Sequence, residues 1–191
     1  MHVEVPKAIA TLLAKYPGTW AVAGGWAIDL FLNQVTRSHQ DIEIAIPRME
    51  QLRLKAYFPS WQWQYVVDGT FYHWAPQQYL ELPIHELHAR APLGQGLEVL
   101  LNEFSAEEWR FRRHLAITYP LAKAIQASPL GIPILAPEIV LLYKAKWMEE
   151  KDLHDLSSIL PHLPRTAKSW LREAIESHHG GEHPWVGLIR T

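Results

Sequence analysis

The sequence predicts an α/β (α+β) fold, a mixed β-sheet flanked by helices and followed by a small helical C-terminal subdomain. Three observations carry that expectation. Strand-like and helix-like hydrophobic patterns interleave through the first part of the chain, the pattern of a sheet covered by helices. A double glycine, Gly24 and Gly25, closes a short apolar run and precedes a helical one. Beyond Pro120 the strand signals fade, and Pro137 stands where a first-turn proline opens a long helix. With 191 residues, 48% of them apolar, the chain can bury one sizeable core.

Val5 to Tyr16 reads as the first helix, with Ile9, Leu12 and Leu13 at helical spacing and Pro17-Gly18 as its stop. Trp20 to Ala23 is a buried strand entering the turn at Gly24 and Gly25, and Trp26 to Leu32 resumes a helical pattern through Ile28 and Phe31. After the polar stretch Asn33 to Gln40, Asp41 to Ile46 alternates acid or small residues with isoleucine until Pro47 stops it, which reads as a strand. Met49 to Tyr57 suits a helix, and Trp61 to Val67 with Phe71 to Trp74 suits a hairpin around Asp68, Gly69 and Thr70. Leu97 to Glu103 is a further buried strand with an acid near its start. The helices after Pro137 run through Trp147, onward from Asp152, and from Ala167 to Glu176. The division falls near residue 118, giving an α/β core over 1–118 and a helical subdomain over 119–191.

Composition removes several classes of function. Eighteen basic against 20 acidic side chains leave a charge of −2, which argues against nucleic acid as a partner. The absence of cysteine excludes disulfides, a thiolate zinc site and a cysteine nucleophile, so any metal is held by oxygen or imidazole. Met1 to Lys15 shows no basic leader before a long apolar run, and nowhere do about 18 apolar residues follow one another. A cytoplasmic protein without a membrane partner is expected. Neither a Walker-type run nor Gly-x-Ser-x-Gly is present, which weakens P-loop and hydrolase readings. No heptad seam specifies an oligomeric state.

The chemistry lies in an order of features: strand, glycine pair, helix, then two carboxylates spaced by one residue. Side chains alternate along a strand, so Asp41 and Glu43 project from one face, close enough to share a divalent ion. Two bare carboxylates at that separation repel, and without a cation one of them takes up a proton. Magnesium, a hard ion that accepts carboxylates, phosphate oxygens and water, suits such a pair. Gly24 and Gly25 let backbone amides approach an anion at the positive end of the next helix. Phosphate there and metal opposite would hold a nucleoside triphosphate. Taken singly, a double glycine is commonly only a turn and an acid-x-acid strand end is commonly solvated.

In that order the segments resemble the DNA polymerase β-like nucleotidyltransferase superfamily, whose signature is a strand, Gly-Gly or Gly-Ser, a helix, then acid, apolar residue, acid. More narrowly, Gly24 to Leu30 with Thr36 to Glu43 is similar to the aminoglycoside 2″-adenylyltransferases and lincosamide nucleotidyltransferases. Trp109 to Arg113, Ala136 to Ile139 and Leu141 to Lys146 carry the likeness over most of the chain. The resemblance implies transfer of a nucleoside monophosphate, AMP from ATP with Mg2+, to a hydroxyl of a small-molecule acceptor. It also leaves a protein or tRNA acceptor, or a catalytically silent nucleotide- or partner-binding member, as alternatives. It implies a third carboxylate on a later strand that takes the hydroxyl proton. Glu98, flanked by Leu97 and Val99, is the candidate, with Glu86 and Glu103 as alternatives. Metal ligands would then be Asp41, Glu43 and Glu98. The second acid departs from the aspartate common in the resistance enzymes, which shifts metal spacing by one methylene.

Gly24, Gly25, Arg37, His39 and Lys144 are the expected nucleotide contacts. Arginine suits a phosphate, histidine suits a carboxylate or substrate, and Lys144, Lys151 and Asp155 follow one another at intervals of seven and four on one helical face. A surface ion pair and a solvated stripe are the bland readings of the same residues. Asp29 is expected to bond the polar loop at Thr36 or Arg37. Arg110, Arg112 and Arg113 form the one basic cluster, with Glu107 and Glu108 as local partners. Neither His85 with His88, hemmed by Pro83 and Pro92, nor His178, His179 and His183 near the mobile-looking end reads as a metal site. Trp61, Trp63, Tyr72 and Trp74 are the aromatics expected to face an acceptor held between the sheet and the helical part.

Overall fold

The computed structural model describes residues 3–190. Helix α1 (Glu4–Leu12) leads to β1 (Ala21–Val22), α2 (Gly24–Leu32) and β2 (Glu43–Pro47). After a 3-10 turn come α3 (Gln51–Tyr57), the hairpin β3 (Gln62–Val67) and β4 (Thr70–His73), then β5 (Glu86–Arg90) and β6 (Gly96–Phe104). Short strands β7 (Glu108–Arg110) and β8 (Thr118–Pro120), helix α4 (Leu121–Ala124), and strands β9 (Ile125–Ala127) and β10 (Pro133–Leu135) follow. Helices α5 (Pro137–Lys144), α6 (Glu150–Ile159), α7 (Arg165–His179) and α8 (Pro184–Leu188) close the chain. No helix among the described residues is long and apolar enough to cross a membrane.

The strands form one mixed sheet in the order β4-β3-β5-β6-β2-β1-β10-β9, with β7 and β8 branching from β6. β2 is central, parallel to β6 and antiparallel to β1, and four of its five residues are buried, as a strand covered on both faces requires. The hairpin turns at Asp68 and Gly69, both at positive φ, the geometry of a tight turn between right-twisted strands. Residues 118–135, expected at the start of the helical part, instead supply β8, β9 and β10, and β10 pairs in parallel with β1. These strands are only three residues long and flanked by proline, too short to print a period.

Two of the boundary shifts bear on the acids and Lys144. The strand bearing the acids begins at Glu43, so Asp41 sits just ahead of it in extended chain. The helix opened by Pro137 stops at Lys144, because Met148 adopts φ 49° and Glu149 starts α6 with a capping box to Asp152. Lys144 and Asp155 therefore lie on different helices, yet still meet across the turn. The terminal histidines are packed rather than mobile: His178 and His179 end α7, and His183 Nε2 lies 2.9 Å from the Ala145 carbonyl beside fully buried Trp185.

A buried ion network joins the loop after α2 to the helical part. Arg37 donates from Nε and Nη2 to the two carboxylate oxygens of Asp155 at 2.8 and 2.9 Å. Lys144 Nζ reaches Asp152 at 2.7 Å and Asp155 at 3.0 Å. The Asp155 side chain has no exposed surface. Burial alone would raise its pKa, but the hydrogen bonds and charges of Arg37 and Lys144 outweigh it and hold the carboxyl below its ordinary value. Removing one member strands the others: Asp155→Ala is expected to cost about 3 kcal/mol in urea unfolding. A loss below about 1 kcal/mol would show that the network carries little of the fold.

Candidate active site

Why two glycines open α2 follows from what lies against them. Gly24 has φ +56°, and a Cβ there would stand 1.4 Å from Glu43 Oε2. A Cβ on Gly25 would stand 2.1 Å from Arg37 Nη2 and 2.7 Å from His39 Cε1. The glycines are thus the floor on which an acid, an arginine and a histidine rest. They belong to the first turn of the helix itself, so the Glu43 carboxylate faces the positive end of the α2 dipole.

The β2–β6 ladder sets the carboxylates side by side. Glu43 pairs in register with Glu98, which places their backbones about 4.8 Å apart with both side chains on one face. The same row continues across the sheet through His88 and Gln64. Glu86, two residues before His88, lies on that face too, and its Oε1 is 2.8 Å from His88 Nε2. Glu86, His88 and Glu98 offer ligand atoms within 4.8 Å of one another. Burial, then Glu43, Glu86 and Asp41, push the Glu98 carboxyl up to about 8. Burial and Asp41 also raise Glu43, against the pull of Lys144.

Of the alternatives for the third acid, Glu103 is engaged elsewhere: Arg48 binds its Oε1 at 2.7 Å from both Nε and Nη2. Glu86 stays beside Glu98. The loop between α2 and β2 is anchored by Asp29, 1% exposed, which accepts from Thr36 N at 3.1 Å and Thr36 Oγ1 at 2.6 Å and lies 2.6 Å from His39 Nε2. The Asp29 bond to Thr36 is the one expected from the sequence. His39 also stacks on Trp26, ring centroids 4.3 Å apart. Arg37, His39 and Lys144 border the cavity, but each already has a buried carboxylate as its partner.

Two cavities meet at the acids. The larger, about 850 Å³, runs from Gly24 and Gly25 past Glu43 and Glu98 to Arg112, Arg113 and Lys144. The smaller, about 520 Å³, lies over β3 and β5 and is lined by Trp26, Gln64, Phe71, His88 and Arg90. Both are bordered by His39, Gln40, Asp41 and Glu98. None of Trp61, Trp63, Tyr72 and Trp74 lines either one. Trp63 and Trp74 are 4% and 1% exposed and pack edge to face in the core.

A sequence profile described as aminoglycoside-2″-adenylyltransferase matches residues 6–158. The chain belongs to that family. No curated protein matches it. Among solved structures, this family member is similar to ANT(2″)-Ia in complex with adenylyl-2″-tobramycin, with 18% identity and a TM-score of 0.54 over 98% of this chain and 95% of that one. It is similar to the lincomycin-bound lincosamide antibiotic adenylyltransferase LnuA, with 16% identity and a TM-score of 0.55 over 83% and 98%. A nucleotidyltransferase-like protein from Paracoccidioides brasiliensis matches at 16% identity and a TM-score of 0.51 over 97% and 90%. These likenesses establish the nucleotidyltransferase-type fold. The adenylyltransferase family brings with it a nucleotide co-substrate.

His88 is the site-lining residue that sequence reasoning set aside. Its signal was the i, i+2 spacing of Glu86 and His88 around Leu87, a strand period; Pro83 and Pro92 exclude a helix but leave room for a five-residue strand. The raised Glu98 carboxyl also makes a prediction about stability. In the folded chain without a divalent ion it keeps its proton up to about pH 8, whereas in the unfolded chain it releases it near the ordinary value of 4.5. The stabilisation is complete below the ordinary value and is lost as pH rises through about 8. Glu98→Gln should therefore raise the Tm by a few degrees at about pH 9 in chelator and leave it nearly unchanged at about pH 5 by calorimetry. Equal shifts at both pH values would contradict the assignment.

Proposed function

We propose that this protein transfers a nucleoside monophosphate, AMP from ATP, to a hydroxyl of a small molecule of the aminoglycoside or lincosamide kind. The observation that carries the reading is the in-register pair Glu43 and Glu98 beside the glycine-opened helix α2, with Asp41 lining both neighbouring cavities. Membership of the adenylyltransferase family supports it. So does the likeness to ANT(2″)-Ia in complex with adenylyl-2″-tobramycin and to lincomycin-bound LnuA.

The donor set fits a hard divalent ion. It is all oxygen, and two of its members are pushed toward protonation by burial and by one another, a strain that a cation relieves. Asp41, Glu43 and Glu98 would hold magnesium. A magnesium ion held there would supply charge neutralisation for the phosphates as pyrophosphate leaves.

The chain's own groups do the rest. The larger cavity takes the nucleotide, with the triphosphate over the α2 N-terminus. The smaller takes the acceptor, its apolar side against Trp26 and Phe71 and its polar side against Gln64 and His88. The acceptor oxygen attacks the α-phosphorus, the bond from that phosphorus to the bridging oxygen breaks, and pyrophosphate leaves with the electron pair. Glu98, at the border of both cavities, accepts the hydroxyl proton, as a carboxylate kept ionised by the bound cation can. Arg37, His39 and Lys144 act as positioning residues, fixing the loop that presents Asp41. Positioning and charge stabilisation supply most of the rate.

Incubation of the protein with labelled ATP, magnesium and a panel of aminoglycosides and lincosamides should yield an acceptor heavier by one AMP on mass analysis. Asp41→Asn should abolish the magnesium dependence of ATP binding and lower product formation by roughly a hundredfold or more, the scale of losing a group that stabilises transition-state charge. Nucleotide affinity identical in the variant and the parent, with and without magnesium, would reject the site.

A further inference from the structure

The cations expected to meet the triphosphate are engaged, and two others are not. Lys144 and Arg37 bind Asp155 and Asp152. Arg110 pairs across an exposed surface with Glu108 at 3.6 Å. Arg112 and Arg113 form no salt bridge among the described residues, although both line the larger cavity. Their positions are fixed without acids. The Arg112 guanidinium lies 4.9 Å from the centroid of the Tyr143 ring and that of Arg113 5.3 Å from it. Arg113 also donates to the Tyr143 carbonyl at 3.1 Å.

Two adjacent, half-buried positive charges without a counter-ion are costly to keep. Burial and the neighbouring Arg113 lower Arg112 to about 10, and burial, with smaller contributions from both arginines, lowers His85. Glu86, which lines the same cavity, is near enough for Arg112 to feel its charge but forms no ion pair with it. The arrangement is complementary to a polyanion that enters and leaves. Stacking on Tyr143 holds both guanidinium planes in place, and planar forks match phosphate oxygens two at a time.

We propose that Arg112 and Arg113 form the receptor for the β- and γ-phosphates, facing the carboxylate cluster across the larger cavity and receiving the pyrophosphate as it departs. This rests on the nucleotidyl-transfer reading and deepens it by assigning the anion end of the nucleotide site. A triphosphate carrying one divalent ion retains roughly two negative charges, the number these side chains neutralise. The adenosine and α-phosphate lie outside their reach in this arrangement, so the pair should distinguish nucleotides by the number of phosphates.

The test is calorimetric titration of the intact protein with ATP, AMP and inorganic tripolyphosphate, each with magnesium. Arg112→Gln and Arg113→Gln should each weaken ATP and tripolyphosphate about tenfold or more while leaving AMP within about twofold, the range for losing a charge-assisted hydrogen bond. Arg112→Lys and Arg113→Lys keep the charge and the stem, so they guard against misfolding; with an unchanged circular dichroism spectrum they should regain part of the tripolyphosphate affinity. Unchanged ATP affinity in the glutamine variants, parallel loss of AMP and ATP, or folded lysine variants no better than glutamine would overturn the proposal while leaving nucleotidyl transfer standing. A parent protein that binds neither ATP nor tripolyphosphate would overturn both.

Discussion

Carboxylates held together against their own repulsion are the constraint around which this molecule is arranged. The β2–β6 ladder fixes Glu43 opposite Glu98, and the extended residues before β2 add Asp41. Partial burial strips water from Glu98, so its proton affinity climbs to about 8. A fold selected for stability alone has no reason to retain such a cluster. Its place in the lining of the larger cavity is what connects the architecture to nucleotidyl transfer.

The surrounding charges divide into those that hold the scaffold and those that face the cavity. Asp29 secures Thr36 and His39, and Asp155 secures Arg37 and Lys144, so the loop presenting Asp41 is tied at both ends. These ties span the sheet, the α2 loop and the α5–α6 turn. They also consume the cations nearest the acids. Among the described residues Arg112 and Arg113 form no salt bridge, and aromatic and carbonyl contacts hold them while leaving their charge available. Acids of β2 and β6 and arginines held by Tyr143 therefore line one cavity.

Much of this was legible in the sequence where physical rules are local. The glycine pair, the Asp41-x-Glu43 spacing and the β3–β4 hairpin each follow from backbone geometry over a few residues. The neighbourhood of Glu98 and Glu43 was legible only as a possibility of topology, since strand order is not written in any local pattern. β5, β9 and β10 were missed because three- to five-residue strands between prolines print no reliable period. Partner choice among charges was the least legible. Arg112 had Glu107 and Glu108 nearby in sequence, yet the turn after β7 sends its side chain to the other side, toward Tyr143. Lys144 lies 11 residues from Asp155, and the break at Met148 destroys the helical spacing that suggested they shared a face, while the turn brings them together by another route.

Anomalous diffraction from crystals grown with manganese and a non-hydrolysable ATP analogue tests the central claim most directly. The account predicts a peak within coordination distance of Asp41, Glu43 and Glu98, bridged to phosphate oxygens above the α2 N-terminus. Nucleotide bound with no ion at those three carboxylates, or an ion held by Glu86 and His88 alone, would contradict it.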